Sequence, residues 1–288
     1  MSITLLVGVG VFTLTARRKL ALMRVAASPA DRFDDPVRRI GFVLKYVFGQ
    51  ARMFRYWWAG IAHAFIFTGF VILGLRTLVL AARGFTGYSP QDFPPGTHRD
   101  GPGFGFWLFN DDMPLGIAYL FIKDLVGLFV IVGVLYFIYT RLVTRPKRMN
   151  LSLEGVFILC MIMSLILADL AYESTSLIML AGGGNMPIHF EVPVASLLAH
   201  RLADLPPMLL LLMHHVGFWM HTIIVLTFLN FLPHGKHFHV LTVVPQVYFS
   251  DKQPQGRLAP IPDIEGKIER GETLGIKTAR DLSWKGVL

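Results

Sequence analysis

Five blocks of apolar residues, roughly 1–16, 57–82, 114–140, 152–180 and 207–232, constrain this chain more than any other feature of its sequence. Four of them are longer than the about 20 residues that a helix needs to cross the roughly 30 Å hydrocarbon core of a bilayer. The apolar residues run continuously, without the alternation of a half-buried strand, so the blocks read as transmembrane helices. The composition agrees: 53% of the 288 residues are hydrophobic and 16% are charged, where a soluble domain carries about a quarter. The expected fold is an all-α integral membrane bundle of five transmembrane helices. The first block is the short one, about 24 Å as a helix; a thinner bilayer there, or a true start upstream, would accommodate it. A signal peptide is the competing reading, but Arg17, Arg18 and Lys19 follow this block, and no small-residue cleavage site stands out.

Charge sets the orientation. Ten basic residues follow the first block between Arg17 and Arg55, and Arg141, Arg145, Lys147 and Arg148 join the third block to the fourth. By the positive-inside rule both stretches are cytoplasmic. The N-terminus then lies outside and the C-terminus inside, with residues 84–113 and 181–206 as outer loops. Tyr56, Trp57 and Trp58 suit the interfacial belt at the cytoplasmic end of the second block. The net charge of +8 is explained by this topology, so no nucleic-acid partner is expected; the partner is the lipid bilayer. The domain reading is a membrane domain over 1–249 and a cytoplasmic tail or linker over 250–288.

The chemistry rests on histidines. Cys160 is the single cysteine, which excludes disulfides and cysteine-ligated zinc or iron–sulfur clusters within this chain. His221 and His239 stand eighteen residues apart. On a continuous helix that is about five turns and roughly 27 Å, which places both on one face near opposite sides of the membrane. Histidine inside a membrane is costly and calls for a partner. A same-face pair at two depths suggests stacked cofactors, and haem iron suits neutral imidazole best. His63, in an earlier span, comes level with His239 if the last helix runs on past Pro233. Gly60, Gly69 and Gly74 around His63 would admit a flat macrocycle, although close helix packing uses the same residues.

A family resemblance is carried by the same residues. His221–Tyr248, with Phe231–Leu232–Pro233, Lys236, His239, Val244–Pro245 and Tyr248, resembles the last transmembrane helix of the respiratory nitrate reductase gamma subunit. The block Ala62–Phe70 resembles the second helix of the related membrane domain in heterodisulfide-reductase-like iron–sulfur proteins, among them electron-transfer-flavoprotein:menaquinone oxidoreductases. The resemblance implies a cytochrome b domain that exchanges electrons between a cytoplasmic iron–sulfur domain or subunit, with electron-transfer flavoprotein a further partner, and menaquinone. It implies that His63 and His239 ligate one haem b and that His221 serves an outer haem, for a total of one or two. The pattern's second histidine in the second helix is replaced here by Leu73. That leaves His221 with His189, His200, Met161 or Met163 as the remaining partners. Residues 279–285 resemble the lead-in to a ferredoxin-like cluster domain.

Other polar residues carry two readings each. Arg76 pairs with a haem propionate or a quinone carbonyl, or it snorkels to the outer interface. Asp169 and Glu173, four apart, share a helix face; they accept protons from a quinol, or they form a structural ion pair with Lys123 or Arg76. The aromatics of 101–114 lie on the membrane or cap a quinone pocket. Two rival functions stand beside the cytochrome: a haem-free anchor for a soluble oxidoreductase, and a small transporter. The transporter is disfavoured because the chain shows no internal repeat.

Overall fold

In lipid only a helix satisfies every backbone N–H and C=O within its own segment, and the apolar blocks take that form. The computed structural model describes residues 1–23, 33–86, 114–147, 152–181, 188–250, 261, 263–272 and 274–275. Among these residues the chain is helical and holds no strand. The helices are α1 (Ser2–Met23), α2 (Pro36–Val43), α3 (Trp57–Thr86), α4 (Pro114–Tyr139), α5 (Leu153–Leu180), α6 (Pro193–Leu202), α7 (Pro207–Phe231), α8 (His239–Tyr248) and α9 (Ile264–Glu269).

Local chemistry explains the boundaries. Proline opens α4, α6 and α7, where its fixed φ and missing N–H cost nothing. Ser152 caps α5, its hydroxyl accepting from the Gly155 N–H at 3.3 Å. Beyond α4 a π-helical turn, Thr140–Thr144, ends on Arg145 in the left-handed region.

Four helical segments are long and apolar enough to cross a membrane: Trp57–Ala81, Pro114–Thr144, Leu153–Leu180 and Pro207–His234. They make the chain a multi-pass membrane protein, and they match four of the expected blocks to within a few residues. The expected first span lies inside α1, a helix of 22 residues, but Arg17, Arg18 and Lys19 cut its apolar stretch short. It is not one of the four.

The last span departs from expectation. The α-helix does not run on to His239. It ends at Phe231, tightens into a 3₁₀ turn over Leu232–His234, and Gly235 is extended at φ −133°, ψ −163°. A second 3₁₀ turn, Lys236–Phe238, then leads into α8. Pro233 cannot donate to an α ladder, which is the physical reason. The same-face geometry of His221 and His239 therefore does not hold as a property of one helix.

The chain divides into two compact units. The first comprises residues 1–7 and 53–228, the second 8–52 and 229–288. In the first, α3 and α4 approach closely at Gly133, where an added Cβ would lie 2.7 Å from the Ala62 carbonyl oxygen. Phe65 and Phe129 stack at 5.1 Å. Leu73, Val126, Val130, Val134, Leu159 and Ile166 form the core beyond them. The segment expected as an outer loop contains α6; Ala195 and Ala199 on it, and Val192 just before it, are wholly buried against Leu120, Leu177 and Leu210. Ser174 ties α5 to α6 by donating to the Ala195 carbonyl at 3.0 Å.

In the second unit α2 packs beside α8. Arg39, 1% exposed, donates to the carbonyls of Tyr248 (2.8 Å), Ser250 (3.0 Å) and Asp34 (2.7 Å), and to the Asp34 carboxylate (2.6 Å). Among the described tail residues α9 has no buried side chain. The aromatic stretch 101–113 and the segment 279–285 lie outside the described residues.

Candidate functional site

A membrane helix that is apolar all round leaves few choices for a charged side chain: it must face the protein interior and meet an opposite charge. Among the described residues, four of the five charged side chains buried in the bundle of the first unit do this in one cluster. Arg76 on α3 is 2% exposed and donates through Nε to Asp169 Oδ1 at 3.0 Å and through Nη2 to Glu173 Oε2. Lys123 on α4 reaches Asp169 Oδ2 at 3.3 Å and Glu173 Oε2 at 3.4 Å. The i, i+4 spacing of the two carboxylates on α5 lets each be held by cations from two other helices. The Arg76 guanidinium also lies over the Tyr172 ring, 5.6 Å from its centre.

This arrangement shows which contacts those residues make within the chain. The ion pair is formed, and with both cations together. Arg76 does not snorkel outward, because its fork is anchored on α5.

His221, 1% exposed, lies against the same cluster from α7. Its Nε2 and Thr77 Oγ1 are hydrogen-bonded at 3.1 Å. Its Nδ1 is buried with no hydrogen-bond partner and lies 4.0 Å from Asp169 Oδ1. Neutral imidazole is a donor type that haem iron accepts, and a metal at Nε2 would have to replace the Thr77 contact. In the sequence the signal at Thr77 is faint, a hydroxyl beside Arg76 in an apolar helix.

The other expected ligands lie elsewhere. His63 is half-buried on α3, thirteen residues before Arg76, or about 20 Å along the helix. His239 opens α8 in the second unit and is exposed. Within the first unit the structure thus brings Arg76 and His221 together around Asp169, with His63 outside that group. Among the described residues no three His, Cys, Asp or Glu side chains converge to hold a bare metal ion; haem asks the protein only for axial ligands.

Of the other polar candidates, His214 is taken up by packing. It stacks on Tyr172 at 4.5 Å, and its Nδ1 lies 3.3 Å from Ser176 Oγ. His189 pairs with Glu191 at 3.1 Å, and His200 is exposed. Two of the three glycines near His63 serve helix packing. A Cβ at Gly69 would collide with Val130 and one at Gly60 with the Met53 carbonyl, while Gly74 faces open space.

Comparison with known proteins places this geometry in context. The chain is similar to the EtfAB:quinone oxidoreductase of Syntrophomonas wolfei subsp. wolfei (strain DSM 2245B / Goettingen). The two are 24% identical over 293 residues, which covers 99% of this chain and 37% of that protein. It is also similar to the probable iron-sulfur-binding oxidoreductase FadF of Bacillus subtilis (strain 168), 22% identical over 251 residues, 87% of this chain and 32% of the relative. The chain spans about a third of the length of these curated relatives. No family model matches it, and no solved structure matches it.

Proposed function

We propose that this chain is the membrane-embedded electron-transfer part of a quinone-linked oxidoreductase. In this reading it is a five-helix cytochrome b domain of the nitrate reductase gamma type, set in the bacterial cytoplasmic membrane with its N-terminus outside and its C-terminus inside. The observation that carries the reading is similarity along 99% of the chain to a protein named as a quinone oxidoreductase. The second relative is named as an iron-sulfur-binding oxidoreductase, which favours a cytoplasmic iron–sulfur domain or subunit as electron partner, with electron-transfer flavoprotein behind it. Menaquinone is the membrane partner.

His63, His239 and His221 are the axial ligands of one or two b haems in this proposal. Bound haem supplies a one-electron carrier tuned by its ligands and surroundings. The chain's own residues do the rest. The membrane helices exclude water; Asp169 orients the His221 ring from the Nδ1 side; Arg76 and Lys123 hold Asp169 in place. The tail after α8 is the docking segment for the soluble partner.

The test is a pyridine haemochrome assay with a reduced-minus-oxidised spectrum on the purified chain. The expected result is at least one haem b per chain, lowered by His63→Ala and by His239→Ala. A folded sample made with ample haem that contains none overturns the cytochrome reading. It would favour the haem-free anchor, which has one observation of its own behind it: the engagement of His221 Nε2 by Thr77.

A further inference from the structure

The ion cluster has one edge that its pairings leave incomplete. Arg76 and Lys123 balance Asp169 and Glu173, and Asp124, next to Lys123 on α4, is a fifth charge. Asp124 is 2% exposed. Its Oδ2 accepts from the N–H groups of Val194 (2.5 Å) and Ala195 (3.4 Å) at the start of α6. Its Oδ1 is buried and receives no hydrogen bond. An anionic oxygen with no donor is among the costliest groups to hold in apolar surroundings.

A small cavity adjoins this carboxylate. Lys123, Asp124 and Asp169 line it with Leu73, Ile166 and Leu170, and its volume is about 10 Å³. That is room for about one water, which needs two to four polar neighbours; three polar side chains surround it. The groups facing Asp124 are Lys123 on its own helix, Asp169 on α5 and the two N–H groups of α6, with Arg76, Glu173 and His221 behind Asp169.

We propose that this cavity holds one water bonded to Asp124 Oδ1, and that the carboxyl–water pair is a proton-exchange site at the edge of the ion cluster. In uptake, an O–H bond of the protonated water breaks, an O–H bond forms at Oδ1, and the carboxylate becomes neutral; release is the reverse. Oδ2 keeps its hold on α6 in both states, so α6 need not move. The inference rests on the quinone-linked reading only for the source of the proton, a quinol hydroxyl: a site that takes electrons from a quinol must also dispose of its protons.

The experiment is infrared difference spectroscopy of the full chain in lipid nanodiscs across a pH series in H₂O and D₂O. The expected result is a carboxylic-acid C=O band that grows on acidification and shifts in D₂O. It disappears in Asp124→Asn, whose amide oxygen can still cap α6, and persists in Glu265→Gln in the exposed tail. Carbonyl-labelled aspartate in the unaltered chain moves the band, a check that needs no variant. A band that ignores the label, survives Asp124→Asn, or never appears while the fold holds overturns the site. Haem content is measured on the same samples. A missing band with haem present defeats this inference alone, and a band without haem defeats only the cytochrome reading.

Discussion

Arg76 and Arg39 are both almost wholly buried, at 2% and 1% exposure, yet different chemistry satisfies them. Arg76 sits among helices whose carbonyls are already engaged in their own ladders, so only side chains can answer it, and Asp169 and Glu173 do. Arg39 sits at the end of α8, where helix geometry leaves the last carbonyls without donors. Its fork reaches the carbonyls of Tyr248 and Ser250, and its Asp34 partner is half exposed. A guanidinium in the middle of a bundle thus needs opposite charge, whereas at a helix terminus it needs only backbone oxygen. The first arrangement is coupled to every other charge in the bundle. The second is local.

The largest effect should come from unbalancing the first arrangement. Asp169→Leu leaves Arg76 and Lys123 with a single carboxylate and should cost about 3–5 kcal/mol, seen as a lower unfolding midpoint in detergent. Adding Arg76→Leu should recover a large part of that loss, because a balanced apolar replacement removes the uncompensated charge. If the double variant is no better than the single one, burial and not pairing governs this cluster, and the contrast with Arg39 fails.

Arg39→Ala should cost less, about 2–3 kcal/mol by the usual worth of charge-assisted hydrogen bonds, and should act locally. Hydrogen exchange should quicken in α2 and α8 and stay unchanged in α3 to α5. Arg39→Lys should restore only part of the protection, since an ammonium cannot serve several carbonyls in one plane. Faster exchange throughout the bundle would show that the second unit is not a local structure.

How much of this was legible in the sequence follows the same division. The spans were readable because a continuous apolar run has one solution in lipid. The ion cluster was readable as a pairing because Asp169 and Glu173 share a face and few cations lie in the apolar blocks. That both cations converge is tertiary information, and no periodicity carries it. Arg39 was read only as one positive charge among ten, because its acceptors lie more than two hundred residues away. The helix α6 is faint in the sequence, although Pro193 and the basic pair His200 and Arg201 mark its two ends. Its buried face is made of small residues, which register weakly as apolar. The break before His239 had its signals in Pro233 and Gly235, and the eighteen-residue spacing outweighed them.

A smaller effect tests how closely α7 must approach the cluster. A Cβ at Gly217 would lie 2.7 Å from the Ala168 carbonyl and 2.9 Å from the Tyr172 nitrogen. Gly217→Ala should therefore cost about 1–3 kcal/mol through overpacking. His221 is one turn further along the same face, so the substitution should also lower any haem held there, while Arg39 and its carbonyls are unaffected. A stable Gly217→Ala variant with full haem would show that α5 and α7 have slack at this level.

The smallest effect is the most discriminating. Thr77 offers His221 Nε2 a single neutral hydrogen bond, with a net worth of about 1 kcal/mol, and valine matches threonine in shape. If His221 ligates iron, Nε2 is committed to the metal and Thr77→Val should leave both stability and haem content unchanged, while His221→Ala lowers haem content. If His221 is a structural residue that completes the ion cluster, Thr77→Val should cost about that 1 kcal/mol and His221→Ala should leave the spectrum untouched. Unfolding midpoint and haem content measured on the same two variants separate the cases, because each reading moves one quantity and holds the other still. The cytochrome reading with two haems expects the first pattern. The second would make His221 a neutral counterpart to Arg39, a side chain whose work ends with packing and hydrogen bonding.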